Sequence, residues 1–455
     1  MKLKNFYFLV MLTLSYALML AQTPFVTKWD TNANNDGSKQ LNIGLRGDYL
    51  YYYASETDNN IEGSGIGTGN LVLDLPEADK YIVFIIPNSQ LGFKAEVNSQ
   101  LDANKLLDVI QWGSSTWESN LSEMFKNCKN ITTFSAFDVP DFSNVTNMSS
   151  MFNGAENFNG NISSWDTSNV TNMYAMFAFA KKFNQPIGNW DLSKVTTTNA
   201  MFYNAINFNQ PIEKWNTANI TNMSSMFNGA SSFNQPIGNW NTINVTDMSG
   251  MFNGASSFNQ SIEGWNVSNV THMSSILQNA SSFNQSLGNW NLKKISIGAY
   301  GLLYGLSGTS INCINYTKTL KGWAENSNTT NGVLFLPSGL KYGNDAQLYR
   351  NILINNKGWN ISEDVFDSSC SSSLNVENLN SKIEFKIFPN PASDLVSIQS
   401  NKDVKSILIY STDGKLLSEV KNQKTFNLSK YPVGNYLVKV IFVSGEELTK
   451  KLIKK

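Results

Sequence analysis

Trp165, Trp190, Trp215, Trp240, Trp265 and Trp290 are each separated by 25 residues, and no insertion breaks the step. The same period carries the columns Phe158 to Phe283, Ile162 to Leu287, Val145 to Val270 and Ala155 to Ala280, and Met151 to Met251 with a Phe after every Met. A strict period over six units admits few folds. A unit this short cannot bury its apolar face alone, so neighbours must stack, with each apolar column directly above the same column of the unit below.

Within the unit that starts near Val245, the residues Val245, Met248, Met251, Phe252 and Ala255 fall at steps of three and four. That spacing predicts a short helix or 3₁₀ segment with one buried face. Phe258, Ile262 and Trp265 stand among Asn, Gln and Gly, which predicts a short strand bounded by turns and a parallel sheet with strands about 4.8 Å apart. The phrase V-T-N-M-S-S-M-F-N-G-A-S-S-F-N-Q-P-I-G-N-W-N, nearly verbatim from Ile220 to Asn241, resembles the BspA-type leucine-rich-repeat surface proteins in their Asn/Trp-rich 25-residue version. The resemblance implies a leucine-rich-repeat-like solenoid, mainly β with short helices, that adheres to host matrix proteins, other cells or glycans. Ile276-Leu277 replaces Met-Phe in the last unit, and the first unit is two residues longer between Met124 and Met151. Such atypical ends are expected where the apolar stack must be covered.

Residues 1–22 read as an export signal: Lys2 and Lys4 precede an apolar run from Phe6 to Leu20, with cleavage after Ala21 or Gln22. The run is too short for a membrane span of about 20 residues. No later stretch is long and apolar enough to cross a bilayer, so the mature chain is expected to have no transmembrane span. Residues 23–105 contain strand-like runs separated by Asn, Asp and Gly, which predicts a small antiparallel β domain, a sandwich. The repeat array is assigned to residues 106–295 and its C-terminal cap, closed by the helically spaced AQLYRNILINNKGW, to residues 296–366. A Ser/Asn-rich linker follows at residues 367–382. Residues 383–455 become Lys-rich with alternating apolar strands. Here FPNPASDLVSI, VKSILIYSTDGKLL and FNLSKYPVGNYLVKV closely resemble the type A sorting domain of the type IX secretion system. That resemblance places Pro389, Asn390, Pro391, Asp394, Gly414, Gly434 and Tyr436 in the sorting motif, with the two glycines in turns of a β sandwich of about seven strands. It implies recognition by the type IX secretion machinery and delivery to the extracellular space or the outer-membrane surface.

Charged residues make up 15% of the 455, against roughly 25% in ordinary soluble domains, and the net charge is −1. No clustered Lys and Arg are available to displace phosphate counterions, so a nucleic-acid partner is not expected. His272 is the single histidine, which excludes a His cluster for zinc and leaves one candidate base for a catalytic triad. No cofactor or metal is expected.

Several columns carry candidate chemistry. Trp165, Trp190, Trp215, Trp240, Trp265 and Trp290 are candidate ligand-binding rings, because in a regular strand a residue three beyond Ile262 points to the opposite face. The competing reading is a bulge that turns each Trp inward beside Ile. Glu213 and Glu263 share a column two units apart, roughly 10 Å, within the range for inverting glycoside hydrolysis; solvated charges are the simpler reading. The Thr column from Thr146 to Thr271 has one Thr per unit, which suits turn hydrogen bonding better than ice binding. Asp30, Asn32, Asn34 and Asp36 have calcium-loop spacing, but Asn35 stands where the turn Gly belongs. The Asn column from Asn159 to Asn284 is expected to form an amide ladder between units. Export permits disulfides, and Cys313–Cys370 is the preferred pair, leaving Cys128 as a thiol.

These readings converge on a non-enzymatic, exported repeat protein, an adhesin whose solenoid face binds an extracellular protein or glycan. An extracellular glycan-binding or glycan-degrading protein and a structural surface-layer or biofilm component are the alternatives.

Overall fold

The computed structural model describes residues 22–35, 37–95, 100–370, 385–400, 402–443 and 446–455. The apolar run at residues 6–20 and most of the Ser/Asn-rich linker lie outside them. The chain is mainly β with a few short helices and divides into two compact units, Met1–Ser372 and Ser373–Lys455.

The first unit opens with two antiparallel sheets. One contains β1 (Phe25–Asp30), β3 (Asp48–Ser55), β4 (Glu62–Thr68), β6 (Lys80–Pro87) and β8 (Leu106–Gln111) in the order β4-β3-β6-β1-β8; the other orders β2 (Gln40–Arg46) between β5 (Leu71–Asp74) and β7 (Gly92–Lys94). Alternation decides which face is buried: Phe25, Thr27 and Trp29 of β1 and Tyr81, Val83 and Ile85 of β6 are all sealed from solvent. On the edge strand, Gly63, Gly65 and Gly67 pair with Tyr53, Tyr51 and Tyr49. A Cβ at any of these glycines would lie 2.5–2.7 Å from the facing ring, so the missing side chains are what let the three rings lie across the strand. β8 falls in the stretch assigned from sequence to the repeat array, yet it pairs with β1. The boundary expected at residue 105 therefore cuts the sheet, and the repeats begin after Trp112.

The sheet passes into the array without a gap. Leu91 forms a parallel bridge with Trp117, and the Ala95 N–H donates to the Met124 carbonyl at 3.0 Å. Beside this junction, Lys94 and Lys126 donate to Glu123 at 2.7 and 2.9 Å. Hydrogen bonds from the two ammonium groups hold the Glu123 carboxyl at about 2, below its ordinary 4.5, against burial that pushes it up. With the folded value below the unfolded one, this stabilisation is complete above about pH 4.5 and drains away as the pH falls towards 2. Thermal melts of the chain and of Glu123→Gln are expected to converge near pH 2 and to separate as the pH rises to about 5. A gap that does not change over that range would mean that the carboxylate charge is not what holds the junction.

In the repeats, Asn147, Asn172, Thr197, Asn222, Asp247 and His272 form successive parallel bridges. The inter-unit backbone bridges thus run through the Val/Met half of each unit, and the Phe-to-Trp half is turns. This reverses the sequence expectation of a helix followed by a strand. The reason lies in two left-handed residues per unit, four apart: φ is positive at Ser150, Ala175, Ala200, Ser225, Gly250 and Ser275, and again at Gly154, Phe179, Asn204, Gly229, Gly254 and Asn279. They break any helix and make the donors alternate. The N–H groups of Met248, Gly250, Phe252 and Gly254 reach carbonyls of the next unit at 2.7–2.9 Å, while those of Met251, Asn253 and Ala255 bond three residues back within their own unit. Almost every backbone donor of this segment is therefore spent inside the stack.

The array runs on past its expected end at residue 295. Ser275, Leu277 and Asn279 donate to Leu303, Gly305 and Ser307 at 2.8–2.9 Å, as earlier units do to their neighbours. A helix, α1 (Cys313–Glu325), then takes the place of the next unit's second half. It packs so closely that a Cβ on Gly322 would lie 2.1 Å from the Gly288 carbonyl oxygen. The cap continues through α2 (Asn344–Asn351) and a π-helical turn, Ile352–Asn356. Cys313 and Cys370 are joined by a disulfide, and Cys128 is a buried thiol.

The second unit places seven strands in two antiparallel sheets. They are β9 (Phe385–Phe388), β10 (Leu395–Ser400) and β11 (Thr425–Asn427), and β12 (Val404–Ser411), β13 (Leu416–Lys421), β14 (Gly434–Phe442) and β15 (Glu447–Lys454). Their core includes Ile398, Ile407, Val438, Val440 and Phe442.

Candidate binding face

The Trp column is core. Trp165, Trp190, Trp215, Trp240, Trp265 and Trp290 are at most 5% exposed, so the reading of these rings as ligand-binding is overturned. Each Trp N–H donates to the carbonyl three residues back, as Trp240 does to Ile237 at 3.1 Å. That tight turn cancels the strand parity on which the outward reading depended. From Trp190 onward each indole Nε1–H also donates across the stack, Trp240 to the Ile212 carbonyl at 3.1 Å, so the polar edge is satisfied inside. Trp323 continues this column on α1, donating to Leu287 at 3.0 Å. Its departure from the 25-residue step hides it in the sequence.

Other candidate columns are also spent on cohesion. Each Thr hydroxyl from Thr171 to Thr271 donates to the previous Thr carbonyl at 3.1–3.2 Å. Asn184, Asn209, Asn234, Asn259 and Asn284 donate their N–H groups to the side-chain oxygen of the preceding Asn at 2.8–2.9 Å. Glu263 accepts from Ser286 at 3.0 Å, and the buried Glu213 Oε2 has no partner among the described residues. Asp30 and Asn32 accept N–H groups of their own loop, while Asp36 lies outside the described residues. His272 sits in the bridge column with Nδ1 2.8 Å from the Thr271 hydroxyl and its ring 5.5 Å from that of Tyr300. A cleft of about 280 Å³ lined by Arg46, Lys94 and Glu123 lies at the junction; its cations are already matched by Glu118 and Glu123.

What the stack leaves for a partner is the outer side of the segment running from each bridge residue to the second left-handed residue. In most units it presents Ser, Asn and Gly. Two adjacent units depart: MYAMFAFAKK (173–182) and TNAMFYNAIN (198–207) stand in register with MSSMFNGASS (223–232). The departures expose Tyr174 and Phe179, and the Phe179 ring meets that of Tyr203 edge to face at 5.2 Å. Phe179 has φ +59°, a region costing roughly 1–2 kcal/mol for an L-residue. Its column otherwise holds only Gly and Asn from Gly154 to Asn279. Comparing each unit with its neighbours reveals this patch; looking for conserved aromatic columns does not.

In the second unit the sorting-motif residues organise the C-terminal strand. Asn390 straddles β15, donating to the Lys451 carbonyl and accepting from the Ile453 N–H, both at 3.0 Å. It stands between Pro389 and Pro391, both preceded by cis peptides. The Asp394 carbonyl accepts from Leu428 at 2.6 Å, and the Tyr436 hydroxyl donates to Pro432 at 2.5 Å. Gly414 occupies a hairpin turn with φ +85°. Gly434, expected in a turn, is instead the first residue of β14 and pairs with Lys454.

The sequence profile of a family described as Mycoplasma protein of unknown function, DUF285, matches residues 119–219 and 210–303. That of the secretion system C-terminal sorting domain matches residues 386–455. The comparison with curated proteins finds no match. The chain is thus a surface repeat protein with a sorting tail. That tail marks it for export by type IX secretion to the cell surface or extracellular space. Among the described residues no helix is long and apolar enough to cross a membrane.

Proposed function

We propose that this protein is a non-enzymatic adhesin, exported through a signal peptide at residues 1–22, whose repeats form a leucine-rich-repeat-like solenoid that binds an extracellular macromolecule. The observation that carries the reading is the aromatic departure at Tyr174, Phe179 and Tyr203 on a face that in most units presents Ser, Asn and Gly. Residues that serve only the stack keep to the consensus, and these three depart from it outside the core, Phe179 at a cost in backbone strain. The half-buried Glu213 and Glu263 and the Thr-bonded His272 give no support to hydrolysis.

Beads coated with the full exported chain are expected to adhere to immobilised extracellular matrix or to polysaccharide. Beads coated with Tyr174→Ser/Phe179→Gly/Tyr203→Asn are expected to lose that adherence. Each replacement is the residue other units carry in that column, so the stack is preserved. Equal adherence by the variant would refute the assignment of this face.

A further inference from the structure

We infer that the face grips a linear, uncharged glycan at two aromatic stations joined by a track of amides and hydroxyls. The inference rests on the binding-face reading above and adds the class of ligand. The first station is Tyr174, Phe179 and Tyr203. The second lies five units along, past the regular repeats. The Ser150 N–H bonds to Tyr174 and the Ser275 N–H to Leu303, so Leu303 falls in the Tyr174 column and Tyr304 beside it. Tyr304 has φ +54°, matching the left-handed column of Ala175 and Ser275. Tyr300, 67% exposed, stands at the end of the bridge column against His272. Five unit steps of about 4.8 Å separate the stations by about 24 Å.

Between them, Asn228, Asn253 and Gln278 occupy the Tyr203 column at successive steps, partly exposed, and their side-chain amides make no hydrogen bond among the described residues. Each offers two donors and an acceptor. From the first left-handed column to the second, no Lys, Arg, Asp or Glu appears between Ala200 and Asn279, and the bridge column that borders this track adds one carboxylate, Asp247, so a polyanion would find no cation on the track and a polycation only a single acid. A peptide added as a strand is disfavoured for a separate reason: the N–H groups of Phe252, Gly254 and their equivalents are already bonded to the next unit, leaving too few main-chain donors for strand addition. Exposed rings, evenly spaced amides and a near absence of charge fit a chain of sugar rings, whose apolar faces stack on aromatics and whose hydroxyls reach the amides.

The test is affinity electrophoresis and calorimetric titration of the full exported chain with a soluble β-glucan, a galactomannan and an arabinoxylan, with heparin and gelatin as contrasts. At least one neutral polysaccharide is expected to bind and heparin is not, and fragments too short to reach both stations are expected to bind more weakly than longer ones. Tyr174→Ser/Phe179→Gly/Tyr203→Asn is expected to weaken binding at least tenfold without lowering the melting temperature. Tyr304→Ser, again a residue its column already holds, is expected to weaken binding of long fragments more than short ones. A chain that binds gelatin through this face and none of the neutral polysaccharides would overturn the glycan assignment and leave the adhesive face standing. Polysaccharide binding untouched by both variants would overturn both.

Discussion

Trp240→Ala is expected to destabilise the repeats by about 3–5 kcal/mol, the range for removing a large buried aromatic. The ring lies within 6.4 Å of Trp215, Trp265 and Phe227, and its Nε1 supplies a hydrogen bond to the Ile212 carbonyl. Truncation therefore opens a cavity in a continuous aromatic stack and strips a buried acceptor. Because each unit touches only its neighbours, the loss is local to one interface in the middle of the array. The denaturant transition followed by far-UV circular dichroism should move to lower midpoint and broaden or split as the two halves uncouple. Phe179→Gly, on the surface two units earlier, should leave the midpoint within a few tenths of a kcal/mol, with relief of left-handed strain set against glycine's backbone entropy. A change below about 1 kcal/mol for Trp240→Ala would mean that the column does not carry the stack.

The apolar columns were legible because stacking demands an unbroken register, and residues such as Phe158, Ile162 and Val170 can serve it only if they recur at one step. The path of the chain between them was not. Steps of three and four suggested helix, but nothing in Ser150, Ala175 or Ser225 announces a left-handed residue, since these types adopt that conformation only when tertiary hydrogen bonds repay it. Trp265 is a half-legible case: strand parity from Ile262 points it outward, a bulge turns it inward, and the turn between them brings it in. At the array's ends, Trp112 and Trp323 occupy core positions on segments without the period. The aromatic patch is hidden for the opposite reason. Tyr174 and Phe179 are exceptions to the repeat, and a reading that searched for what recurs passed over them.

The cap offers the second large effect, in a different physical setting. Asp364 has no exposed side-chain surface and Arg350 is 15% exposed. Arg350 of α2 reaches Asp364 with Nε at 2.9 Å and Nη2 at 2.8 Å, and the Tyr316 hydroxyl of α1 donates to the same carboxylate at 3.0 Å. Burial, then the adjacent Asp364 charge, push the Tyr316 phenol well above its ordinary value, while the carboxylate's hydrogen bonds raise Arg350; neither donor gives up its proton at any physiological pH. Asp364→Ala leaves a mostly buried guanidinium and a buried hydroxyl without their acceptor, and is expected to cost about 3–5 kcal/mol. The penalty comes from the charge left behind more than from the pair itself. The triple variant Asp364→Leu/Arg350→Met/Tyr316→Phe should therefore recover most of the loss, since an apolar cluster of similar volume needs no partner. Melting curves of the three chains would decide it: a triple variant as unstable as Asp364→Ala would mean that the cap depends on the polar contacts themselves, namely the ion pair together with the Arg350 hydrogen bond to the Ile361 carbonyl at 3.1 Å and its guanidinium 4.8 Å from the Tyr342 ring centroid.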